Sequence, residues 1–436
     1  MATLKNLINK ERDRFLPRLL WKSAYVPVLI FALAIMFARL LVAARLLAVN
    51  EFASYSAGLL VSSSFCMLGG LGLQILLQRE MPLLICRGKS RQGIVLLMQA
   101  LAVAVVCASI GMIAAWLGLG LLLNNNGLIT PTVACTGLIH GLSQQSFLLV
   151  TVESRSRLRP LLFACQYMLR STLIIAIGFI AMRWSGSSTV VIIVEAIITI
   201  TISTFILRHA AKRAGIHLIL STRLAISRLH LINWRTTIVL LAVMASSWLA
   251  QNSDRWIAER TLVISEFAIY AFAANAMTVA SALQMTFNSS IFPKLAHIYA
   301  GYNKRKVFRA TAMHSLYTAG VGVLIAPAAW LAWDLLVPIL FPAYIPSVKI
   351  APMIIAVCLF RVSNYWSGYL LIVGKQNHLL LITIFALTTS SLIWYFGFIH
   401  NSLQSIDYSK IVWFACITEG CIYIGTMYAA WRESAT

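Results

Sequence analysis

Apolar runs of about 20 residues alternate with short, mostly basic connections along nearly the whole chain. Runs of that length suit helices crossing a membrane; the ten-residue alternation of a barrel strand is absent. Backbone groups in lipid must bond internally, which leaves helices as the reading. Twelve spans are predicted, at 24–47, 52–77, 93–122, 127–150, 160–182, 187–207, 233–252, 263–290, 308–332, 346–371, 377–399 and 409–431. The second, eighth and tenth are long enough to tilt or break. A polar basic segment, 1–22, precedes them. The longest connection, 208–232, separates two sets of six, an N-lobe over 23–207 and a C-lobe over 233–436. The expected fold class is an all-α polytopic membrane protein with about 12 transmembrane helices in two pseudo-symmetric six-helix lobes.

A short motif occurs once in each half. Asn50–Tyr55 reads NEFASY and Ser265–Tyr270 reads SEFAIY, so Glu51 and Glu266 are offset by 215 residues. Each copy runs into an apolar segment, then a proline (Pro82, Pro293), then a basic loop. The glutamate-to-proline spacings, 31 and 27, differ by four residues, about one helical turn. The pattern predicts one unit used twice. With six spans in each, the units insert in the same orientation and are related by an axis along the membrane normal, with a central cleft between them.

Composition and charge sharpen this picture. Hydrophobic residues make up 60% of the chain and charged residues 11%, with mean hydropathy +0.83; a soluble domain carries about 25% charged residues. With the N-terminus inside, 26 of the 35 Lys and Arg fall on the inner side, 5 on the outer side and 4 within spans. That asymmetry predicts cytoplasmic N- and C-termini. It also accounts for the net charge of +22 as loops facing anionic membrane lipids, with no motif for nucleic acid. The eight cysteines are scattered and form no CxxC or metal spacing. The first apolar run is too long for a cleavable signal and carries Arg39 and Arg45. GxSxG, HExxH and P-loop patterns are absent. No cofactor is expected, and any pumping would use a proton, sodium or substrate gradient.

Ionisable groups inside spans are costly unless they face a polar interior. Four arginines meet this description: Arg39 and Arg45 in the first span, Arg170 in the fifth and Arg361 in the tenth. None of Arg39, Arg170 and Arg361 has an acidic residue at i±3 or i±4. Guanidinium groups bind phosphate bidentately and stay charged, so the four are candidates for a cationic cleft; snorkelling for Arg45 and inter-helix bonds for the others are the structural alternatives. Glu195 and Glu419, in the last span of each half, are candidates for proton or sodium coupling, or for salt bridges to these arginines. Asp254 beside Arg255 reads as a structural pair. His140 and His314 read as packing or as a proton relay. Prolines at 327, 338, 342, 346 and 352 mark kinks or hinges around the ninth and tenth spans.

Several stretches resemble a known family. ARLLAVNEFASYSAGLL (44–60) and GGLGLQILLQREMP (69–82) resemble the first two helices of the polysaccharide transport family, the O-antigen and exopolysaccharide flippases of the multidrug/oligosaccharidyl-lipid/polysaccharide (MOP) exporter superfamily. Residues 253–295 resemble its seventh and eighth helices, and 337–357 with LIVGKQNH (371–378) the entry to and exit from its tenth. The resemblance implies two six-helix lobes in a V, as in multidrug (MATE) exporters, around a cationic cavity. It implies transfer of undecaprenyl-diphosphate-linked oligosaccharide units from the cytoplasmic to the periplasmic leaflet of a bacterial inner membrane, with a polysaccharide polymerase as downstream partner. Arg39, Arg45, Arg170 and Arg361 would hold the anionic head group.

Other functions remain on the table. An ion-coupled multidrug extruder of the same superfamily would favour cationic substrates and acidic cavity residues. A peptidoglycan-precursor flippase would usually add two C-terminal helices. A membrane-embedded polymerase or ligase would need a large outer loop, and the outer loops are short. A scaffold would leave the four arginines unexplained.

Overall fold

The computed structural model describes residues 25–118, 128–157, 159–300, 304–396 and 407–435. The basic segment 1–22 and the ends of the third and eleventh expected spans lie outside them. The elements are helical throughout. The N-lobe holds α1 (Tyr25–Leu46), α2 (Val49–Leu68), α3 (Leu73–Cys86), α4 (Ser90–Trp116), α5 (Pro131–Val150), the short α6 (Val152–Ser156), α7 (Pro160–Ser185) and α8 (Ser188–Ala214). The linker forms α9 (Leu218–Ser227). The C-lobe holds α10 (Trp234–Thr261), α11 (Ile264–Ala300), α12 (Lys304–Leu340), α13 (Ala351–Ser363), α14 (Trp366–Ile372), α15 (Gln376–Trp394) and α16 (Tyr408–Ala435).

Ten described helical segments are long and apolar enough to cross a membrane, and α2 with α3 makes an eleventh if the bent pair counts as one span. The seventh expected span is α10, which runs nine residues past its expected end and carries Asp254, Arg255, Glu259 and Arg260. The molecule is a multi-pass membrane protein. Its apolar side chains face outward as well as inward: Phe31, Trp184 and Leu324 are exposed, as lipid-facing positions must be.

Local chemistry sets the helix ends. Thr130 accepts from the Val133 amide at 3.3 Å, with Pro131 in the first helical position of α5. Glu51 of the NEFASY motif accepts from the Ser188 amide at 2.7 Å, so it caps the start of α8 from a neighbouring helix. Of the three long spans, two break. The second bends by 50° between α2 and α3, where Leu71 (φ 47°) and Gly72 (φ 82°) are left-handed. The tenth breaks at Asn364–Tyr365, between α13 and α14. The eighth, α11, is continuous over 37 residues.

Within the N-lobe α1 packs on α7, α2 on α5, and α5 on α8; within the C-lobe α11 packs on α13 and α15 on α16. The lobes meet where α11 lies against α1 and α2, and α10 against α2 and α3. The repeated motifs form that seam: Phe52, Ala53, Phe267 and Ala268 are buried in one apolar core shared by both lobes. Tyr344 joins them, stacked on Phe272 at 4.6 Å and edge-on to Phe52 at 5.5 Å.

The linker is not the loop expected over 208–232. α8 continues to Ala214, and α9 packs on α4. The Gln99 side chain donates to the Arg228 carbonyl at 2.9 Å. The linker thus belongs structurally to the N-lobe, and the chain leaves it at Ile232, just before Asn233 caps α10 by accepting from the Thr236 amide at 3.2 Å.

Gly72 is a further inter-lobe contact. A Cβ there would lie 2.2 Å from the Thr237 carbonyl oxygen of α10, in a backbone with φ 82°. Gly88 has φ 72° but nothing within 4 Å of its Cβ position. Gly88→Ala is therefore expected to cost about 1 kcal/mol from backbone conformation alone. Gly72→Ala is expected to cost about 2–4 kcal/mol, because the lobes must also shift. Thermal unfolding of the two variants in detergent checks this; equal losses would contradict the contact.

Candidate functional site

A cavity of about 380 Å³ lies between the lobes. Helices α1, α2, α5 and α7 wall it on one side, and α10, α11 and α13 on the other. Its basic lining is one-sided: Arg39, His140, Arg170, Arg255 and Arg361 reach it, and among the described residues no carboxylate does. Its neutral polar lining includes Gln144, Gln251, Asn252 and Asn275. Beside it the shared apolar core and its aromatic cluster join the lobes at the end where α1 turns into α2 and α10 into α11.

The acids stand behind this wall, and in each lobe they accept from an arginine and a tyrosine, which share one acid in the N-lobe and hold two in the C-lobe. In the N-lobe, Glu195 on α8 is fully buried. It accepts from Arg39 at 2.7 Å and from the Tyr55 hydroxyl at 2.9 Å, and His140 Nε2 lies 3.3 Å away. In the C-lobe, Glu419 on α16 accepts from Arg361 Nε at 2.7 Å. The other Arg361 nitrogens donate to the Gln251 carbonyl at 2.9 Å and to Ser281 at 3.3 Å. Asp254 accepts from Tyr270. Tyr55 and Tyr270, the last residues of the two motifs, are thus both buried and both donate to a buried carboxylate. A tyrosine in this register serves one purpose in each lobe: its hydroxyl satisfies an acid that lipid could not.

Two arginines lack such a partner. Arg170 on α7 is buried, and no carboxylate lies within 4 Å of it among the described residues. It donates to Gln144 and to Thr199 at 3.4 Å. Its guanidinium sits 4.6 Å from the Phe147 ring centroid and 5.8 Å from that of Tyr167. Arg255 on α10 donates to the Ala274 carbonyl at 2.6 Å and to Thr278 at 2.7 Å. Its Nε is buried with no hydrogen-bond partner. The hydrogen bonds of these two arginines, one from each lobe at the cavity wall, all go to neutral groups, and the acids whose charge acts on them, Glu195 and Asp254, bond other residues.

The sequence candidates therefore separate. Arg39, Arg170 and Arg361 reach the cavity, but Arg39 and Arg361 are held in salt bridges by Glu195 and Glu419. Arg45 does not reach it: it is exposed and donates to the Leu340 carbonyl at 2.9 Å, a tether across the lobe seam. Arg255, counted in the sequence with the outer connection after a span ending at 252, lies inside the longer α10. His140 joins the site, whereas His314 sits beside Tyr365, with ring centroids 6.4 Å apart. Of the prolines, Pro327 and Pro338 lie within the unbroken α12. Among the described residues no group of three His, Cys, Asp or Glu is placed to hold a metal ion.

Solved structures share this architecture over nearly the whole chain. One is an inward-facing multidrug resistance MATE family transporter of the MOP superfamily, with TM-score 0.60 at 10% identity, covering 94% of this chain and 98% of that one. Another is the MATE transporter VcmN of Vibrio cholerae in its bent form, with TM-score 0.57 at 13% identity, covering 95% and 99%. A third is the MATE multidrug transporter DinF-BH, with TM-score 0.58 at 14% identity, covering 94% and 95%. The chain has the MATE-like fold, and identities this low speak to the fold alone. No family model matches the chain, and no curated protein matches it.

The buried Arg39–Glu195 pair sets a stability prediction. Arg39→Leu strands Glu195 in a low-dielectric wall and is expected to cost about 3–5 kcal/mol. Adding Glu195→Leu is expected to recover part of that loss, because the double variant leaves no unpaired charge. Thermal unfolding of the single and double variants reads the difference; a double variant less stable than Arg39→Leu would contradict the pairing.

Proposed function

We propose that the protein is a transporter of the MOP superfamily that flips an anionic lipid-linked oligosaccharide, a polyprenyl-diphosphate-linked repeat unit, by alternating access. The observation that carries this reading is the cavity wall: four arginines and a histidine line it, and among the described residues no carboxylate lines it or lies within 4 Å of Arg170 or Arg255. A diphosphate offers two adjacent anionic groups, which suits one guanidinium from each lobe. The neutral amides and hydroxyls around them suit a sugar. The apolar exterior admits a prenyl tail from the side.

Charge asymmetry along the chain supports cytoplasmic termini. In that orientation the aromatic seam around Tyr344 is the outer closure, and the cavity belongs to an inward-facing state. Loading from the cytoplasmic leaflet of a bacterial inner membrane, release to the periplasmic leaflet and use by a polysaccharide polymerase complete the reading.

A second reading is multidrug export, favoured by the names of the MATE transporters with this fold. It calls for a cavity that attracts organic cations. The arginines that line the cavity weigh against it, since each would repel such a ligand across a low-dielectric space.

The test is a leaflet-resolved assay in liposomes with a fluorescent prenyl-diphosphate oligosaccharide, read by protection from an outside-only reagent. Arg170→Ala and Arg255→Ala are each expected to slow translocation by at least about tenfold, corresponding to the loss of one charge-assisted contact of about 1.5–3 kcal/mol. Absence of translocation by the wild type, together with export of an organic cation, would move the protein to the multidrug class.

A further inference from the structure

One imidazole nitrogen in the N-lobe has two neighbours that require it in opposite states. His140 Nε2 lies 3.3 Å from Glu195 Oε2 and 3.2 Å from the side-chain nitrogen of Gln144. The far end of Gln144 fixes its orientation: its oxygen accepts from Arg170, so its NH2 group faces the ring. An amide NH2 only donates, and therefore needs a lone pair on Nε2. A carboxylate only accepts, and therefore needs an N–H there. A single nitrogen cannot satisfy both. Nδ1 does not decide the matter, because its partner at 2.7 Å is the Ser62 hydroxyl, which can donate or accept.

We propose that His140 is a proton-binding site coupled to anion binding in the cavity, with Gln144 as the positioning residue between His140 and Arg170. This rests on the reading of the cavity as an anion site. With a neutral ring, Nε2 accepts from Gln144, and the Gln144 oxygen holds Arg170 against the wall. A proton taken from water onto Nε2 turns that nitrogen into a donor. It is then satisfied by Glu195 but opposes the amide NH2. Turning the amide over relieves the opposition, presenting oxygen to the ring and NH2 to Arg170. Arg170, which can only donate, then loses its strongest acceptor and is free to take one from a ligand.

Electrostatics act in the same direction. The groups around His140 are Arg39 from α1, Tyr55 and Ser62 from α2, Arg170 and Tyr167 from α7, and Glu195 from α8. On the far flank of α5, α4 carries Arg91 and Cys107 as its titratable side chains. Arg39 and Glu195 neutralise each other, so Arg170 is the charge that opposes a second cation at His140. An anion bound to Arg170 removes that opposition. Proton and anion therefore strengthen each other's binding, by the same factor in both directions. Binding of the anion is strongest at low pH and weakens as His140 loses its proton.

The experiment is calorimetry on the purified full chain in detergent, with geranyl diphospho-glucose as the probe. As a diphosphate diester it stays doubly ionised between about pH 5 and pH 8, the range in which histidine titrates. Affinity is expected to fall about tenfold from about pH 5.5 to about pH 7.5. Proton uptake on binding should appear as a dependence of the measured heat on the ionisation enthalpy of the buffer. Gln144→Met and His140→Gln are expected to flatten the pH dependence, whatever their affinity. Equal wild-type affinity at both pH values with no proton uptake would overturn the coupling and leave the anion site standing. A Gln144→Met variant with the wild-type slope would overturn the role of Gln144. No binding at either pH would overturn the anion reading and the coupling with it.

Discussion

A charge buried among membrane-spanning helices must find a partner, because neither lipid nor a packed core will solvate it. That constraint organises this molecule. The acids behind the cavity are each bonded from a different helix: Glu195 by Arg39 and Tyr55, Glu419 by Arg361, and one oxygen of Asp254 by Tyr270. Those bonds tie α1 and α2 to α8 in one lobe, and α13 to α16 and α10 to α11 in the other. The same constraint makes the exceptions informative. Arg170 and Arg255 have only neutral hydrogen-bond acceptors, which is why the proposed anion site is placed on them.

The repeated motif joins fold to site. Its phenylalanine and alanine pack the seam between the lobes, its tyrosine bonds a buried acid, and in the first copy its glutamate caps the sixth expected span. One turn of helix thus serves the lobe interface on one face and the polar cluster on another. Movement that opens the seam around Phe52, Phe272 and Tyr344 must act on the helices that present Tyr55 and Tyr270. Closure of the cavity and the state of its polar wall are mechanically connected through α2 and α11.

Much of this was legible in the sequence, for identifiable reasons. The length of the apolar runs located the helices, since it is a consequence of the bilayer. The 215-residue offset exposed the doubling. The breaks at Gly69–Gly72 and Asn364 were foreseen only as excess length, because a break depends on which neighbour crosses there. Side-chain direction was not legible: nearly every helical face is apolar, so the pattern cannot tell lipid from cleft. Arg45, near the outer end of its span, was a candidate with snorkelling as the alternative, and it bonds the Leu340 carbonyl at the seam. Arg255 was missed because its span was ended at the first polar cluster, whereas α10 carries that cluster inside the protein. The signal was available in the run Gln251–Arg255, a polar stretch too close to the apolar segment to be a loop. His140 was read as packing or a proton relay, and the sequence could not choose because Ser62 and Glu195, two of its neighbours, come from other helices.

The central claim is that one guanidinium from each lobe, Arg170 and Arg255, grips a shared anion between them. The most direct measurement is a cryo-electron microscopy structure of the full chain with a prenyl-diphosphate oligosaccharide bound. The account predicts phosphate density in the inter-lobe cavity within hydrogen-bond distance of both guanidinium groups. Density for the head group elsewhere, or against Arg39 and Arg361 while Arg170 and Arg255 keep only their neutral partners, would contradict it.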